Sequence, residues 1–329
     1  MDYVEANPQS PSSGSSLNFP PAVTGGPERL SPTARSEIQE LSGHRPLRFL
    51  LELAITWAWI AAAIAIAVSA DSLWVTIVCV CFIGIRQMVL GLLLHEQVHR
   101  LGIRGKYGDW IVNALCVYPL LATTVEDYAK VHLSHHKYFM TDRDPDFIRK
   151  SGPDWTFPMK PIHLFGIILR DLTGLNTIAL IKGKTGKAGQ EEFIRKNPTP
   201  VWFRLAYFAT LATLLSVVGG WKIFLVYWIL PILSVTQLCV RWTAVIEHQY
   251  NVKGASVSEV TPLIRLKWWQ RILTPDLNFA QHAYHHYHPG VSFSNLPKVH
   301  EIYCREGLVD ESAIFNGQGS FVKFLIGAR

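Results

Sequence analysis

Eight of the 13 histidines lie in three short clusters, and their spacing of three or four residues places imidazoles on one face of a helix. The clusters comprise His95 and His99; His132, His135 and His136; and His282, His285 and His286. Imidazole is a common ligand of iron, zinc, copper and nickel, and one zinc ion takes only about four protein ligands. We therefore interpret the clusters as the ligands of a dinuclear metal site.

The composition indicates that this metal site belongs to a membrane protein. Of the 329 residues, 49% are hydrophobic, and they gather in runs long enough to cross about 30 Å of hydrocarbon as helices. The five cysteines are scattered singly, which fits a reducing compartment, and they form neither a disulfide framework nor a cysteine-based zinc or iron–sulfur pattern. The net charge of +6 comes from basic loops between the apolar runs, so we expect a membrane surface and no nucleic acid as partner. We predict four spans, at about 48–70, 72–94, 202–219 and 221–246.

Each pair of predicted spans is joined by a very short turn, around Asp71 in the first pair and around Gly219 in the second. Two such hairpins place every long polar segment on one face, and the Lys and Arg of these segments predict that this face is cytoplasmic. We thus predict an all-α integral membrane protein with four transmembrane helices in two hairpins, and with its active site and both termini on the cytoplasmic side. A cytosolic helical cap would be formed by residues 95–201 and 247–329.

Two further segments, residues 161–181 and 1–45, lie outside the four predicted spans. Residues 161–181 are apolar enough to suggest a fifth span, but Arg170 and Asp171 lie at the middle, and each costs roughly 2.5–3.5 kcal/mol on insertion scales. We predict an interfacial helix there. Residues 1–45 are rich in Pro, Ser and Gly and are expected to be disordered, which leaves residues 46–329 as one membrane domain.

The first cluster has the pattern HxxxH, and the second and third have the pattern HxxHH. In this order, and followed by HYHPG at 286–290 and NLP at 295–297, they resemble the histidine boxes of the membrane fatty acid desaturase family over nearly everything after residue 45. The resemblance implies an O2-dependent oxidoreductase with two iron ions that acts on unactivated C–H bonds of a lipid or acyl chain. It also implies an external electron donor of the ferredoxin, flavodoxin or cytochrome b5 type with its reductase.

The resemblance does not choose the reaction. We expect the introduction of a double bond, but the family also contains hydroxylases and carotenoid-modifying oxygenases. A hydroxylase or ketolase acting on a hydrocarbon, a carotenoid or a small lipid-like metabolite is therefore the alternative.

A ninth ligand is implied by the resemblance, and His248 stands in the corresponding place, directly after the fourth predicted span. Its alternative role is contact with the C-terminal carbonyls of its own helix. Metal-bound imidazoles normally donate their second N–H to a carboxylate or carbonyl. The polar residues next to the boxes that could accept such bonds are Glu96, Asp144, Glu247 and Asn278. Asp144 could instead cap the turn at Pro145, and Asn278 could end a turn.

Arg86 is unusual because it lies in the middle of a predicted span, nine residues before His95. A charge at this depth is costly and tends to face the interior of the helix bundle. Arg86 could bind a polar group of the substrate, or it could anchor neighbouring helices through hydrogen bonds.

Two other classes of protein compete with this interpretation. His95-Glu96-Gln97-Val98-His99 alone is the HExxH motif of zinc proteases, with Glu96 as general base. An intramembrane zinc metalloprotease would leave the six histidines of the other clusters without a role. A metal transporter or haem protein would place histidines or carboxylates inside the spans, which contain only Glu52 near one end.

Overall fold

The computed structural model describes residues 19–121, 123–182 and 193–328. Within these ranges the chain is all-helical, with four isolated β-bridges and no strand. The helices are, in chain order, α1 (Pro32–Leu41), α2 (Pro46–Ala70), α3 (Leu73–Val98), α4 (Gly108–Val117), α5 (Val125–Lys137), α6 (Pro145–Lys150), α7 (Pro161–Leu172), α8 (Leu175–Lys182), α9 (Val201–Val217), α10 (Trp221–Glu247), α11 (Val257–Val260), α12 (Trp268–Leu273), α13 (His282–Tyr287), α14 (Leu296–Arg305) and α15 (Gln318–Leu325).

Three of these helices are long and apolar enough to cross a membrane: α2, α3 and α10. The fourth predicted span, 202–219, falls on α9, whose 17 residues extend about 25 Å and are shorter than a typical bilayer core. α9 ends where Gly219 adopts a left-handed conformation with φ 64°. The structure therefore supports an all-helical protein with three candidate spans and one shorter apolar helix in the position of the fourth.

The hairpin of α2 and α3 turns at Asp71, which has φ 41°. α3 continues four residues beyond the predicted boundary at residue 94, so the first histidine cluster begins on the same rigid helix. Gly84 in α3 allows a close approach to α10, because a Cβ there would lie 2.6 Å from Cβ of Val235. Trp57 of α2 stacks on Trp228 of α10 with 5.2 Å between ring centroids. These contacts pack the three long helices into one bundle that supports the histidines.

The segment 161–181 does not form a fifth long helix. It divides into α7 and α8 at Gly174, where φ is 75°. The carboxylate of Asp171 is buried and forms an ion pair with Arg241 of α10, and Arg170 pairs with Asp154. Both charges are therefore used to attach α7 to its neighbours.

The prediction of disorder for residues 1–45 is wrong for residues 19–45, whereas residues 1–18 lie outside the described ranges. Ser31 caps α1 by accepting a hydrogen bond from the Ala34 amide at 3.2 Å, and Ile38 of α1 is buried. Val23 forms a bridge with Val309 near the other end of the chain. The segment is rich in Pro, Ser and Gly, but it also contains a few apolar residues with helical spacing. These residues are buried only when distant segments of the chain pack against them.

Candidate metal centre

Nine histidines converge at the ends of the two longest helices. His95 lies in the last turn of α3, His99 directly follows this helix, and His248 directly follows α10. The other six lie on two short helices, with His132, His135 and His136 on α5 and His282, His285 and His286 on α13. The structure therefore brings together all eight clustered histidines and His248.

The imidazoles form two adjacent groups. Within each group the candidate ligand nitrogens lie within 4.8 Å of one another. The first group consists of His95, His99, His132 and His285, and the second consists of His135, His248 and His286.

The two remaining histidines lie beside these groups. Nε2 of His136 is 3.0 Å from Nε2 of His132 in the first group, and its ring stacks on His286 of the second with centroids 4.1 Å apart. The ring centroid of His282 lies 4.8 Å from that of His248 and 5.1 Å from that of His285. His136 and His282 are thus placed to complete either group.

Several of these nitrogens lack ordinary partners. Both ring nitrogens of His95 and both of His285 are buried without a hydrogen bond within the described part of the chain. Nε2 of His99 lies 2.9 Å from Nε2 of His132, and the same distance separates Nε2 of His248 from Nε2 of His286. An unsatisfied buried polar group costs about 1–3 kcal/mol, so native proteins rarely retain one without a purpose. Metal ions bound among these lone pairs would satisfy them, and the donor set fits that role.

Burial favours the neutral form of seven imidazoles of this centre. It lowers the pKa of His99 to about 3, with a smaller contribution from the positive charge of Arg195. Burial, followed by repulsion from neighbouring imidazoles, places the pKa of six others well below the usual value of histidine: His132, His136, His248, His282, His285 and His286. A neutral imidazole has a free lone pair at neutral pH, which is the form that binds a metal.

Asp144 contacts a box histidine directly. Nδ1 of His135 is 3.0 Å from each carboxylate oxygen of Asp144, which is fully buried. A carboxylate accepts, so Nδ1 of His135 donates to it, and Nε2 is the ring atom that faces a ligand. Asp144 also caps α6 by accepting from the amides of Asp146 and Phe147. Both roles considered for Asp144 therefore occur in one side chain.

The side chain of His248 has a hydrogen-bond partner on its Nδ1, whereas the carboxylate of Glu247 does not reach a box histidine. Nδ1 of His248 lies 2.9 Å from the hydroxyl of Thr261 and Nε2 lies 2.9 Å from Nε2 of His286, so both ring nitrogens have partners outside its own helix. Glu247 Oε1 is 3.9 Å from Nδ1 of His282, which is beyond hydrogen-bond distance. Thr261 was not anticipated, because it follows His248 by 13 residues and belongs to no motif.

Glu96 and Asn278 contact the backbone of Phe293 and not a histidine. The amide of Phe293 donates to the two carboxylate oxygens of Glu96 at 3.3 and 3.4 Å. Asn278, with φ 64°, donates from Nδ2 to the carbonyl oxygen of Phe293 at 3.1 Å. This differs from the expectation that both would accept from metal-bound imidazoles. Instead they secure the segment that follows the third box.

Arg86 donates from Nη2 to the hydroxyl of Thr56 on α2 at 3.0 Å and is almost completely buried. This contact matches the anchoring role considered from the sequence. A contact with substrate remains a prediction.

Two phenylalanines line the centre and were missed by the sequence analysis. The ring of Phe139 lies 4.8–5.4 Å from those of His135, His248 and His286. Phe279 lies 4.6 Å from His95 and 5.5 Å from His285. Their spacing in the sequence was a usable signal, because Phe139 is four residues after His135 and Phe279 is three before His282, the separations at which side chains meet if the helix continues. In the structure both lie just outside the helices of the boxes.

Comparison with known proteins agrees with this geometry. The sequence model of the family described as fatty acid desaturase matches residues 71–316, which covers most of the chain and all nine histidines. A search of curated proteins finds no match. The chain belongs to the fatty acid desaturase family. It is therefore an oxidoreductase of a metal-dependent, membrane-associated family that acts on lipids, and its histidine groups could bind metal.

Proposed function

We propose that this protein is a membrane-bound di-iron oxidoreductase that uses O2 to introduce a double bond into an acyl chain or related lipid. The observation that carries the proposal is the convergence of nine imidazoles, seven of them in two adjacent groups and two beside these groups. One iron would be held by His95, His99, His132 and His285, and the other by His135, His248 and His286. His136 and His282 would complete the two coordination spheres.

The donor set favours iron over the alternatives. It contains no thiolate, and nine imidazoles exceed the roughly four ligands that a tetrahedral zinc ion takes. Bound iron would supply the oxidative chemistry that breaks an unactivated C–H bond, which side-chain acids and bases do not provide. The five cysteines form no iron–sulfur pattern, so electrons would come from an external ferredoxin, flavodoxin or cytochrome b5 with its reductase.

The residues around the centre have separable tasks. Asp144 and Thr261 hold His135 and His248 in fixed orientations through their Nδ1 atoms. Phe139 and Phe279 pack against the rings and would limit access of water from their side of the centre. Arg86 could meet a polar group of the substrate at the level of the bundle, since its Nε has no partner within the described residues.

The protease alternative is disfavoured by the position of Glu96. A zinc protease needs this carboxylate to face a water bound to the metal. Here it accepts a hydrogen bond from the Phe293 backbone, and His285 from the third box joins His95 and His99 in one group.

Product analysis tests the reaction. We expect lipids from a host that expresses the protein to gain a species two hydrogens lighter than its precursor, with the new double bond absent when His99→Ala is expressed instead. Mass spectrometry of lipids and metabolites measures this. A product that gains one oxygen would favour the hydroxylase or ketolase alternative. The absence of any new product, together with one zinc ion and no iron per chain, would contradict the proposal.

We further propose that α9 is the fourth span and that the histidine centre and both termini are cytoplasmic. α9 has no buried residue. Phe203, Tyr207 and Phe208 are partly buried against Tyr118, whereas Leu205, Leu214 and Val217 are exposed as they would be in lipid. It is followed by only a short turn before α10, which returns the chain to the face of the histidines.

Labelling with a membrane-impermeant maleimide tests this topology. Lys196→Cys and Lys298→Cys, both at exposed positions, should react from the cytoplasmic side only. Lys222→Cys, at the exposed start of α10, should react only from the other side. Labelling of the first two from opposite sides would refute the proposed arrangement of spans.

A further inference from the structure

We propose that His300, Cys304 and Glu311 form a separate binding site for a zinc ion, outside the nine-histidine centre. His300 and Cys304 are four residues apart on α14 and therefore share one helical face. Glu311 begins the short 3-10 turn Glu311–Ala313 that follows this helix. One ligand atom from each of the three side chains lies within 4.8 Å of the others.

The two distances from the thiol of Cys304 to its neighbours match those of tetrahedral zinc. Zinc binds sulfur at about 2.3 Å and nitrogen or oxygen at about 2.0–2.2 Å, so two ligands at a tetrahedral angle stand roughly 3.5 Å apart. Sγ of Cys304 lies 3.7 Å from Nε2 of His300 and 3.6 Å from Oε1 of Glu311. An ion could thus bind all three with little movement of the backbone, and the exposed position of Glu311 leaves the fourth place to water.

Two of the three ligands are already oriented by partners on their opposite atoms. The hydroxyl of Tyr284 is 2.8 Å from Nδ1 of His300, which leaves Nε2 directed at the thiol. Arg265 binds Oε2 of Glu311 and leaves Oε1 directed at the same thiol. Such outer partners are typical of metal sites, where they fix the tautomer of an imidazole and the direction of a carboxylate.

The site would connect the C-terminal segment to the metal centre. Tyr284 is fully buried on α13 between the box histidines His282 and His285. An ion held by α14 and the following turn would therefore stabilise the helix that carries the third box, through the hydrogen bond of Tyr284 to His300. Binding replaces the thiol proton of Cys304, which is released to solvent.

Cobalt(II) distinguishes this site from the nine-histidine centre. Thiolate bound to Co²⁺ gives a charge-transfer absorption in the near ultraviolet, whereas a centre made only of imidazoles cannot. We expect iron-loaded full-length protein to show this absorption and to saturate at about one Co²⁺ per chain. The absorption should disappear in Cys304→Ala. It should persist in Cys81→Ala, which removes an exposed thiol on α3 as a matched control.

Glu311→Gln provides a test that keeps the thiol. Loss of a direct ligand should weaken Zn²⁺ and Co²⁺ binding by about tenfold or more, because loss of even an outer partner typically costs 10–100-fold. Iron content should stay at the wild-type level, which separates this result from any failure of the histidine centre. If wild-type protein shows no charge-transfer absorption with excess Co²⁺, or if Cys304→Ala keeps it, the proposal is refuted. If Cys304→Ala does not fold, unchanged affinity in Glu311→Gln refutes it.

Discussion

His285→Ala is expected to lose bound iron and to form no detectable product. His285 belongs to the first imidazole group, is almost completely buried and has no hydrogen-bond partner among the described residues, so its ring has no evident role other than as a ligand. Removing a direct ligand should reduce turnover by more than the roughly 100-fold that marks the upper range for an outer partner. Iron content per chain and product yield, measured on the same preparation, check this.

The matched control is His163→Ala. His163 is exposed and pairs with Asp154, which is not part of the centre, so its loss should leave iron content and product near the wild-type level. A His285→Ala protein that keeps both its iron and its activity would contradict the proposed three-box centre.

The substitution Glu96→Gln distinguishes the proposed di-iron oxidoreductase from a zinc protease. As general base of a protease, Glu96 would be indispensable, and His285 would matter little. As an acceptor for the Phe293 amide, Glu96 can be replaced by glutamine, whose side-chain oxygen also accepts. We therefore expect reduced but measurable product in Glu96→Gln and none in His285→Ala.

Asp144→Asn is expected to lower iron affinity or activity by about 10–100-fold without a comparable loss of fold stability. Asparagine caps a helix about as well as aspartate, so the N-cap of α6 is retained. What changes is the charged acceptor that holds Nδ1–H of His135. Competition with a chelator measures iron affinity, and thermal unfolding in detergent measures stability.

Asp142→Asn is the control for this substitution. Asp142 lies two residues before Asp144, but it is exposed and pairs with Lys253. An exposed ion pair contributes about 0–1 kcal/mol, so iron affinity should not change. Equal iron affinity in Asp144→Asn and wild type would show that Asp144 acts only as a helix cap.

The roles assigned to His285, Asp144 and Glu96 differed in how far the sequence could predict them. The membership of His285 in the centre was expected from the spacing of HxxHH, because a helical period places such imidazoles on one face. The partner of His135 was only one of two possibilities for Asp144, and the structure shows that the same carboxylate serves both. Glu96 and Asn278 had equally plausible local patterns, yet they meet at Phe293, which is 197 residues from Glu96.

Composition failed to predict the structure of one polar segment, residues 19–45, and the end of one apolar helix, α9. Residues 19–45 were expected to be disordered, but α1 packs there because distant segments bury its few apolar residues. The predicted span 202–219 ends earlier in the structure, at Val217, because the chain turns at Gly219 in a left-handed conformation. Average hydropathy records neither a distant partner nor a helix end.

The sequence by itself determined the helical class, the positions of α2, α3 and α10, and the set of histidines. These properties depend on runs and periods within a single segment, where the chemistry of neighbouring residues is sufficient. Only the tertiary structure decided how seven of the nine imidazoles divide into two groups, which carboxylate holds the ring of His135, and that the thiol of Cys304 lies close to both His300 and Glu311. Each of those outcomes depends on the packing of segments that are remote in the chain, and packing is determined by the shape and burial of all the intervening elements together.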